Sequence, residues 1–272
     1  MNRVARPDFT ICVLLYGDHY QLAQRCLSSI IERLPRNRYE LRIGLNAVCR
    51  DTMTFVQAAA QRGLFQITDV YESTENILKY PMMRRMLYDP DNRIDSKYLI
   101  WFDDDSYLDY PAGVEYDWFS KVENLLQDND LLGAIYQMPF GGGQREWVKA
   151  QPWYTGKSPD GRKLTFATGG WWATHPEHLY RVEYPWTELT HNGGDTMLSE
   201  CFFQQGLKVT NFREGVRINA DEIGRESKAA RRGLRDGRPI GYDYVASAAS
   251  QAGRLLTPPV RTSPRKRIDL DV

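Results

Sequence analysis

The sequence has little of what would place it outside a reducing compartment. Only four cysteines, Cys12, Cys26, Cys49 and Cys201, occur in 272 residues. They form no CxxC pair and sit in apolar or helical surroundings, which excludes a disulfide scaffold or a zinc ribbon and leaves reduced core thiols. No run of 18 apolar residues is present to span a bilayer, and the opening Met1 to Asp8 has no apolar stretch of the kind a secretory signal needs. A soluble cytoplasmic protein is the expectation. Net charge is absent too: 35 basic residues face 35 acidic ones, so the whole-chain balance points to neither a nucleic-acid nor a membrane partner. The charge is unevenly distributed, however. Arg225 to Arg267 carries 11 basic and 3 acidic residues, a basic arm on a mildly acidic body.

Apolar and aromatic residues are plentiful. At 42% hydrophobic and 12% aromatic content, the chain can bury a large core. Phe9 to Leu15 is short, apolar and β-branched, and Tyr16-Gly17-Asp18 closes it as a turn. Leu22, Cys26, Leu27, Ile30, Ile31 and Leu34 recur at helical spacing until Pro35. Leu41 to Leu45 predicts a second strand, Asp51 or Thr52 to Gly63 a helix, and Phe65 to Tyr71 a third strand. Asn76 to Leu87 predicts a loop entering a helix, with Pro81 near its first turn. Trp118 to Gln127 reads as helix, Leu131 to Tyr136 as strand, and Pro139 to Gly161 as a loop with scattered aromatics. Strands alternating with helices imply right-handed crossovers and a mainly parallel sheet.

Tyr98-Leu99-Ile100-Trp101-Phe102 then runs straight into Asp103-Asp104-Asp105. A buried strand delivering clustered acids suits a hard divalent cation, which takes oxygen ligands from one or two carboxylates, phosphates and water. A solvated acidic turn satisfies the same pattern. In an open α/β sheet ligands bind outside the carboxyl ends of the strands, so Tyr16-Gly17-Asp18, Asn46 and the three aspartates would share one edge. Phe166 to Thr174 holds Gly169-Gly170, which permit close backbone approach, and Trp171-Trp172, whose flat faces suit a sugar ring as well as a core. His191-Asn192-Gly193-Gly194-Asp195 precedes a helix marked by Leu198, Cys201 and Phe202. Asp195 in its first turn is either a dipole-favoured cap or a base for an incoming hydroxyl.

With these residues placed, the chain resembles the GT-A-fold glycosyltransferases, most closely the family 2 inverting enzymes, from residue 9 to about 212. Thr10 to Ile30 is similar to that family's opening strand, turn and Cys-Leu-x-Ser-Ile helix. Asn46 and Asp51 fall where its second strand offers acids to the nucleotide base. Asp103-Asp104-Asp105 matches its DxD motif, Gly169-Gly170 its acceptor-side glycines, and Asp195-Thr196-Met197-Leu198 its acidic catalytic motif followed by Leu. The departures are the missing Pro at Leu15-Tyr16, Asn46 in place of the base-contacting Asp, Gly194 in place of the Glu before the catalytic Asp, and no His after Asp195.

The resemblance implies an α/β, Rossmann-like GT-A body over residues 1–220, its mainly parallel sheet flanked by helices, followed by a basic arm over 221–272. It implies metal-dependent, inverting transfer from a nucleotide-diphosphate sugar, expected to be UDP-linked, to an acceptor hydroxyl. Mn²⁺ or Mg²⁺ would sit on Asp103 and Asp105. Donor contacts would come from Tyr16, Asp18, Asn46, Asp51, Asn76, Lys79, Arg84, Asp103 and Asp104. Asp195 would be the general base, and Trp153, Gly170, Trp171, Trp172 and His191 would meet the acceptor. That acceptor could be a saccharide, a protein, a lipid-linked sugar or a hydroxymethylated base in DNA. Competing readings are a binding module of the same fold without turnover and, from the acids alone, a metal-dependent phosphoesterase or nucleotidyltransferase. The basic arm reads as a solvated tail, as a lid over the donor diphosphate, or as a handle for a polyanionic acceptor.

Overall fold

A computed structural model describes residues 7–64, 67–111, 116–139, 142–157, 160–187, 189, 194–218, 234–235 and 238–239. His191 and nearly all of the basic arm lie outside the described residues. Strand β1 (Phe9–Tyr16) leads to α1 (Tyr20–Arg33), β2 (Tyr39–Asn46) to α2 (Arg50–Gln61), and β3 (Ile67–Ser73) to α3 (Lys79–Leu87). Strand β4 (Tyr98–Asp103) ends on the first of the three aspartates and leads through the short β5 (Tyr107–Leu108) to α4 (Trp118–Asp128). After β6 (Leu131–Pro139), α5 (Gly142–Lys149) and β7 (Lys163–Thr174) come α6 (Pro176–Val182), α7 (Gly194–Gln204), β8 (Val209–Asn211) and β9 (Val216–Arg217).

The seven-stranded sheet has the order β3-β2-β1-β4-β7-β6-β8. Every neighbouring pair is parallel except those made by β7, which runs antiparallel to both β4 and β6. Strand order reverses between β1 and β4, which makes their carboxyl ends the place where an α/β sheet opens a ligand crevice. No helix among the described residues is long and apolar enough to cross a membrane.

Strand alternation sorts the core into two halves. Phe9, Ile11, Val13 and Leu15 of β1 and Tyr98, Ile100 and Phe102 of β4 face α1, α2 and α4. Cys12 and Leu14 of β1 and Leu99 and Trp101 of β4 face α3, α6 and α7. Asp103 continues the second set, so the pleat alone delivers it to the side where α3 and α7 begin. Helix α3 is held at its far end by Arg42, a fully buried guanidinium on β2 that donates to Met86 O at 2.8 Å and Asn92 O at 2.8 Å.

Two helices lie where the sequence reading predicted none. Helix α5 lies in the stretch predicted as loop. Its glycines are poor helix formers, but the fully buried Val148 ties it to the core, a case of packing overriding propensity. Helix α6 follows β7 with Pro176 in its first turn and Leu179 and Val182 buried.

A second departure positions the site. On β6 the partner of Trp172 is Gly133, and two residues on, Ile135 pairs with Ala167. Strand β7 therefore inserts three more residues than β6 between these pairs, and Thr168 to Trp171 form a wide bulge. Gly133 makes the crossing possible, because a Cβ there would lie 2.6 Å from Ala167 Cβ and 3.2 Å from Trp171 O. Gly133→Ala is expected to destabilise the fold by about 1–3 kcal/mol through overpacking. Denaturant melts check this, and Ala167→Gly in the same chain should restore most of the loss.

Candidate active site

The loops after the first three strands are tied to one another at the open edge. Gly17 N donates to Asn46 O at 3.2 Å, Ala47 N to Ser73 O at 2.8 Å, and Cys49 N to Gly17 O at 3.1 Å. Asn46 is buried, and its side chain donates to Asn76 Oδ1 at 3.1 Å and accepts from Ile77 N at 3.0 Å. Asn76 in turn donates to the Tyr16 hydroxyl at 3.2 Å and accepts from Leu78 N at 2.9 Å. These bonds hold Leu78 at φ 71 and ψ 173, a region that suits glycine and costs another residue about 1–3 kcal/mol. The strained residue immediately precedes Lys79, the first residue of α3.

From there Lys79 Nζ donates to Asp103 Oδ2 at 2.5 Å and to Gly169 O at 2.7 Å. The other Asp103 oxygen accepts from Trp101 Nε1 at 2.9 Å, so strand and helix together fix the carboxylate plane. On the amide side of the same glycine, Gly169 N donates to Asp195 Oδ2 at 3.0 Å. The bulge thus presents one residue's carbonyl to Lys79 and its amide to Asp195. A Cβ on Gly169 would lie 2.8 Å from Lys79 Nζ and 3.6 Å from both Cβ and Cγ of Asp195. Asp103, Lys79 and the first-turn aspartate of α7 therefore meet around a position that only glycine fills without displacement. Thr168 Oγ1, buried in the same bulge, has no hydrogen-bond partner among the described residues.

Tyr80 is the residue that the sequence reading missed. Its hydroxyl accepts from Asp195 N at 3.1 Å, and its ring closes the space beside Gly194, where a Cβ would come within 2.3 Å of Tyr80 Cζ. Gly194 for Glu, a departure at the level of sequence, thus has a steric cause. Burial, with Tyr184, Asp195 and Asp103 nearby, pushes the Tyr80 phenol well above its ordinary range, so it stays neutral.

Of the remaining acids, Asp104 and Asp105 are buried, at 2% and 8% exposure. Their charges, with that of Asp103, add to burial in raising the Cys26 thiol of α1. No three His, Cys, Asp or Glu side chains converge into a cation site among the described residues. The donor set still suits Mg²⁺ or Mn²⁺, because these cations commonly take one or two carboxylates and complete the shell with phosphate oxygens and water. Asp18, Asp51 and Asn76 are exposed around the crevice. Arg84 faces away from it, donating to Pro185 O at 2.7 Å and stacking over Tyr88.

The stacking faces expected of the tryptophans are not available. Trp171 and Trp172 are 0% and 1% exposed, on opposite sides of the sheet as strand alternation requires. Trp171 packs against Trp118, Phe102 and Phe212, and Trp172 lies flat on Trp101 with ring centroids 5.8 Å apart. Trp153 is stacked on Trp186 and is also buried. These three are core residues. Gly170 is buried within the bulge, between the core tryptophans and Gly169.

Desolvation dominates the electrostatics of Asp195. Burial raises its carboxyl above 3.8, the Lys79 ammonium and the Thr196 and Gly169 amides pull it down, and burial wins. A raised folded pKa means that the folded state holds a proton which the unfolded state has lost. Stability from this group is therefore present at low pH and falls as pH rises through the folded pKa. Asp195→Asn is expected to hold or raise the melting temperature at pH 7 relative to the wild type and to flatten that part of the stability profile, measured by thermal melts between pH 3 and 8.

No protein-family model and no curated protein matches the sequence. Solved structures do match. The mannosyltransferase PcManGT from Pyrobaculum calidifontis, in complex with GDP-Man and Mn²⁺, superposes with a TM-score of 0.53 at 18% identity, covering 76% of this chain and 55% of its own. S. aureus TarS 1-349 in complex with UDP-GlcNAc gives a TM-score of 0.51 at 11% identity, covering 76% of this chain and 56% of its own. The chain spans little more than half the length of either. At these identities the likeness is one of architecture, and together with the sheet order and the single reversed strand it establishes that this chain has the GT-A fold of the glycosyltransferases.

Proposed function

We propose that the chain is an inverting glycosyltransferase that moves a sugar from a nucleotide-diphosphate donor, UDP-linked in our reading, to an acceptor hydroxyl. One observation carries this: the β7 bulge holds a donor-side carboxylate, through Lys79, and a first-turn carboxylate, Asp195, on opposite sides of Gly169. A second, separately mounted carboxylate whose affinity for a proton is raised by burial suits a transferase, because the incoming hydroxyl must lose its proton as it attacks.

In this reading the nucleotide lies along the crevice between β1 and β4, with Tyr16, Asp18 and Asp51 on its wall. Asp103 and Asp105 would hold a divalent cation, which when bound supplies positive charge to the departing diphosphate. Asp195 accepts the proton of the acceptor hydroxyl. The new bond from that oxygen to the anomeric carbon forms as the bond from carbon to phosphate oxygen breaks, and one displacement inverts the centre. Asn46 acts here by bracing the turn at Asn76, and Tyr80 by fixing the backbone of Asp195.

Calorimetric titration of UDP and GDP, each with Mn²⁺ or Mg²⁺, tests the donor site. Binding that requires the cation and is weakened by Asp103→Asn is expected, and no nucleotide binding under any of these conditions refutes the assignment. With a UDP-sugar that binds, Asp195→Asn should reduce sugar release by about 10²–10⁴-fold, the usual cost of losing a general base, while nucleotide affinity is preserved. Nucleotide binding with no sugar release by either protein would instead identify a binding module without turnover.

A further inference from the structure

We infer that Lys79 is a resident counter-ion: its ammonium stands at Asp103 in the place of a metal cation, and a divalent cation binding there has to displace it. The inference rests on the reading of Asp103 as the donor-side acid.

Lys79 Nζ has the neighbourhood of a bound cation. It touches a carboxylate oxygen of Asp103 at 2.5 Å and a peptide oxygen of Gly169 at 2.7 Å, with the Asp195 carboxylate on the far side of the same glycine. A carboxylate with a carbonyl beside it is the oxygen surrounding that a hard cation takes. The side chain is 11% exposed and that of Asp103 21%, so the pair is shielded from the screening that makes surface ion pairs weak.

A strained residue delivers the lysine. Leu78 is held in backbone geometry proper to glycine by the amide network of Asn46 and Asn76. Strain of about 1–3 kcal/mol persists only where surrounding structure over-determines it, and here it determines where α3 starts and hence where its first side chain reaches. A lysine needed only for solubility requires no such bracing.

Two carboxylates around one glycine repel, and a partly buried acid without a counter-charge takes up a proton. Lys79 keeps the pocket assembled in the absence of ligand. An ammonium and a divalent cation on the same carboxylate repel each other in turn, so the two compete for Asp103.

Mn²⁺ alone, titrated calorimetrically into the full chain, tests this. Lys79→Gln is expected to bind Mn²⁺ at least tenfold more tightly than the wild type, a gain of about 1.4 kcal/mol. Lys79→Arg, which keeps the cation, should stay near wild type, and adding Asp103→Asn to Lys79→Gln should abolish the gain. Gly169→Ala supplies a variant that keeps the lysine but places a methyl 2.8 Å from its Nζ, and it too should tighten Mn²⁺ binding. The inference is overturned if Lys79→Gln and Gly169→Ala, both folded by circular dichroism, bind Mn²⁺ no better than wild type, including no binding at all, or if Lys79→Arg gains as much as Lys79→Gln. No nucleotide enters the experiment. A failed nucleotide titration with this series intact would refute the transferase reading and leave the counter-ion standing.

Discussion

Two acids on separate elements cannot be brought to one place without something positive or polar between them, and most of the local architecture follows from that. Asp103 arrives on a buried parallel strand and Asp195 on a helix start. Gly169 stands between them with both backbone groups turned out of the sheet ladder, and Lys79 fills the carbonyl side. In the protein interior an uncompensated carboxylate costs several kcal/mol (roughly, by solvation estimates). The lysine, the indole of Trp101 and the amide of the bulge therefore stabilise the two acids where they stand as well as shaping a site.

Those conditions reach outward. The bulge that frees the Gly169 amide needs Gly133 beneath it, since β6 and β7 cross with no room for another methyl. Helix α3 must start at Lys79, which the amides of Asn46 and Asn76 enforce at the amino end while Arg42 binds the carbonyl of Met86 near the other. Buried polar groups are hydrogen-bonded because the alternative is costly. Here Asn46 and the two terminal nitrogens of Arg42 meet that demand by fixing the helix that bears the lysine.

The alternation of β1, α1, β2, α2, β3 and β4 was legible because buried parallel strands read as short apolar runs and their helices as periodic ones. The aspartates at the end of β4 were legible for the same reason: an acidic cluster after such a run has one place to go in this topology. The tryptophan pair misled, because flat faces in a sequence carry no information about which way they point, and adjacent residues in a strand point to opposite sides into whatever packs there. The bulge was not readable, since Gly169-Gly170 permits a break in the ladder but does not count how many residues leave it. Tyr80 was hidden by distance, 115 residues away from the aspartate whose amide it meets. Asn46, a departure by family pattern, proved to be satisfied within the chain, with both ends of its amide bonded to the neighbouring loop.

The ring of Tyr80 and the bare backbone of Gly194 fill one volume between them. A relative that carries an acidic side chain at position 194 cannot keep the phenol at position 80, and one that keeps the phenol cannot regain the acid. The two positions form a single inherited choice, so they should covary across descendants as a coupled pair: a large ring with glycine, or a small residue with a side chain.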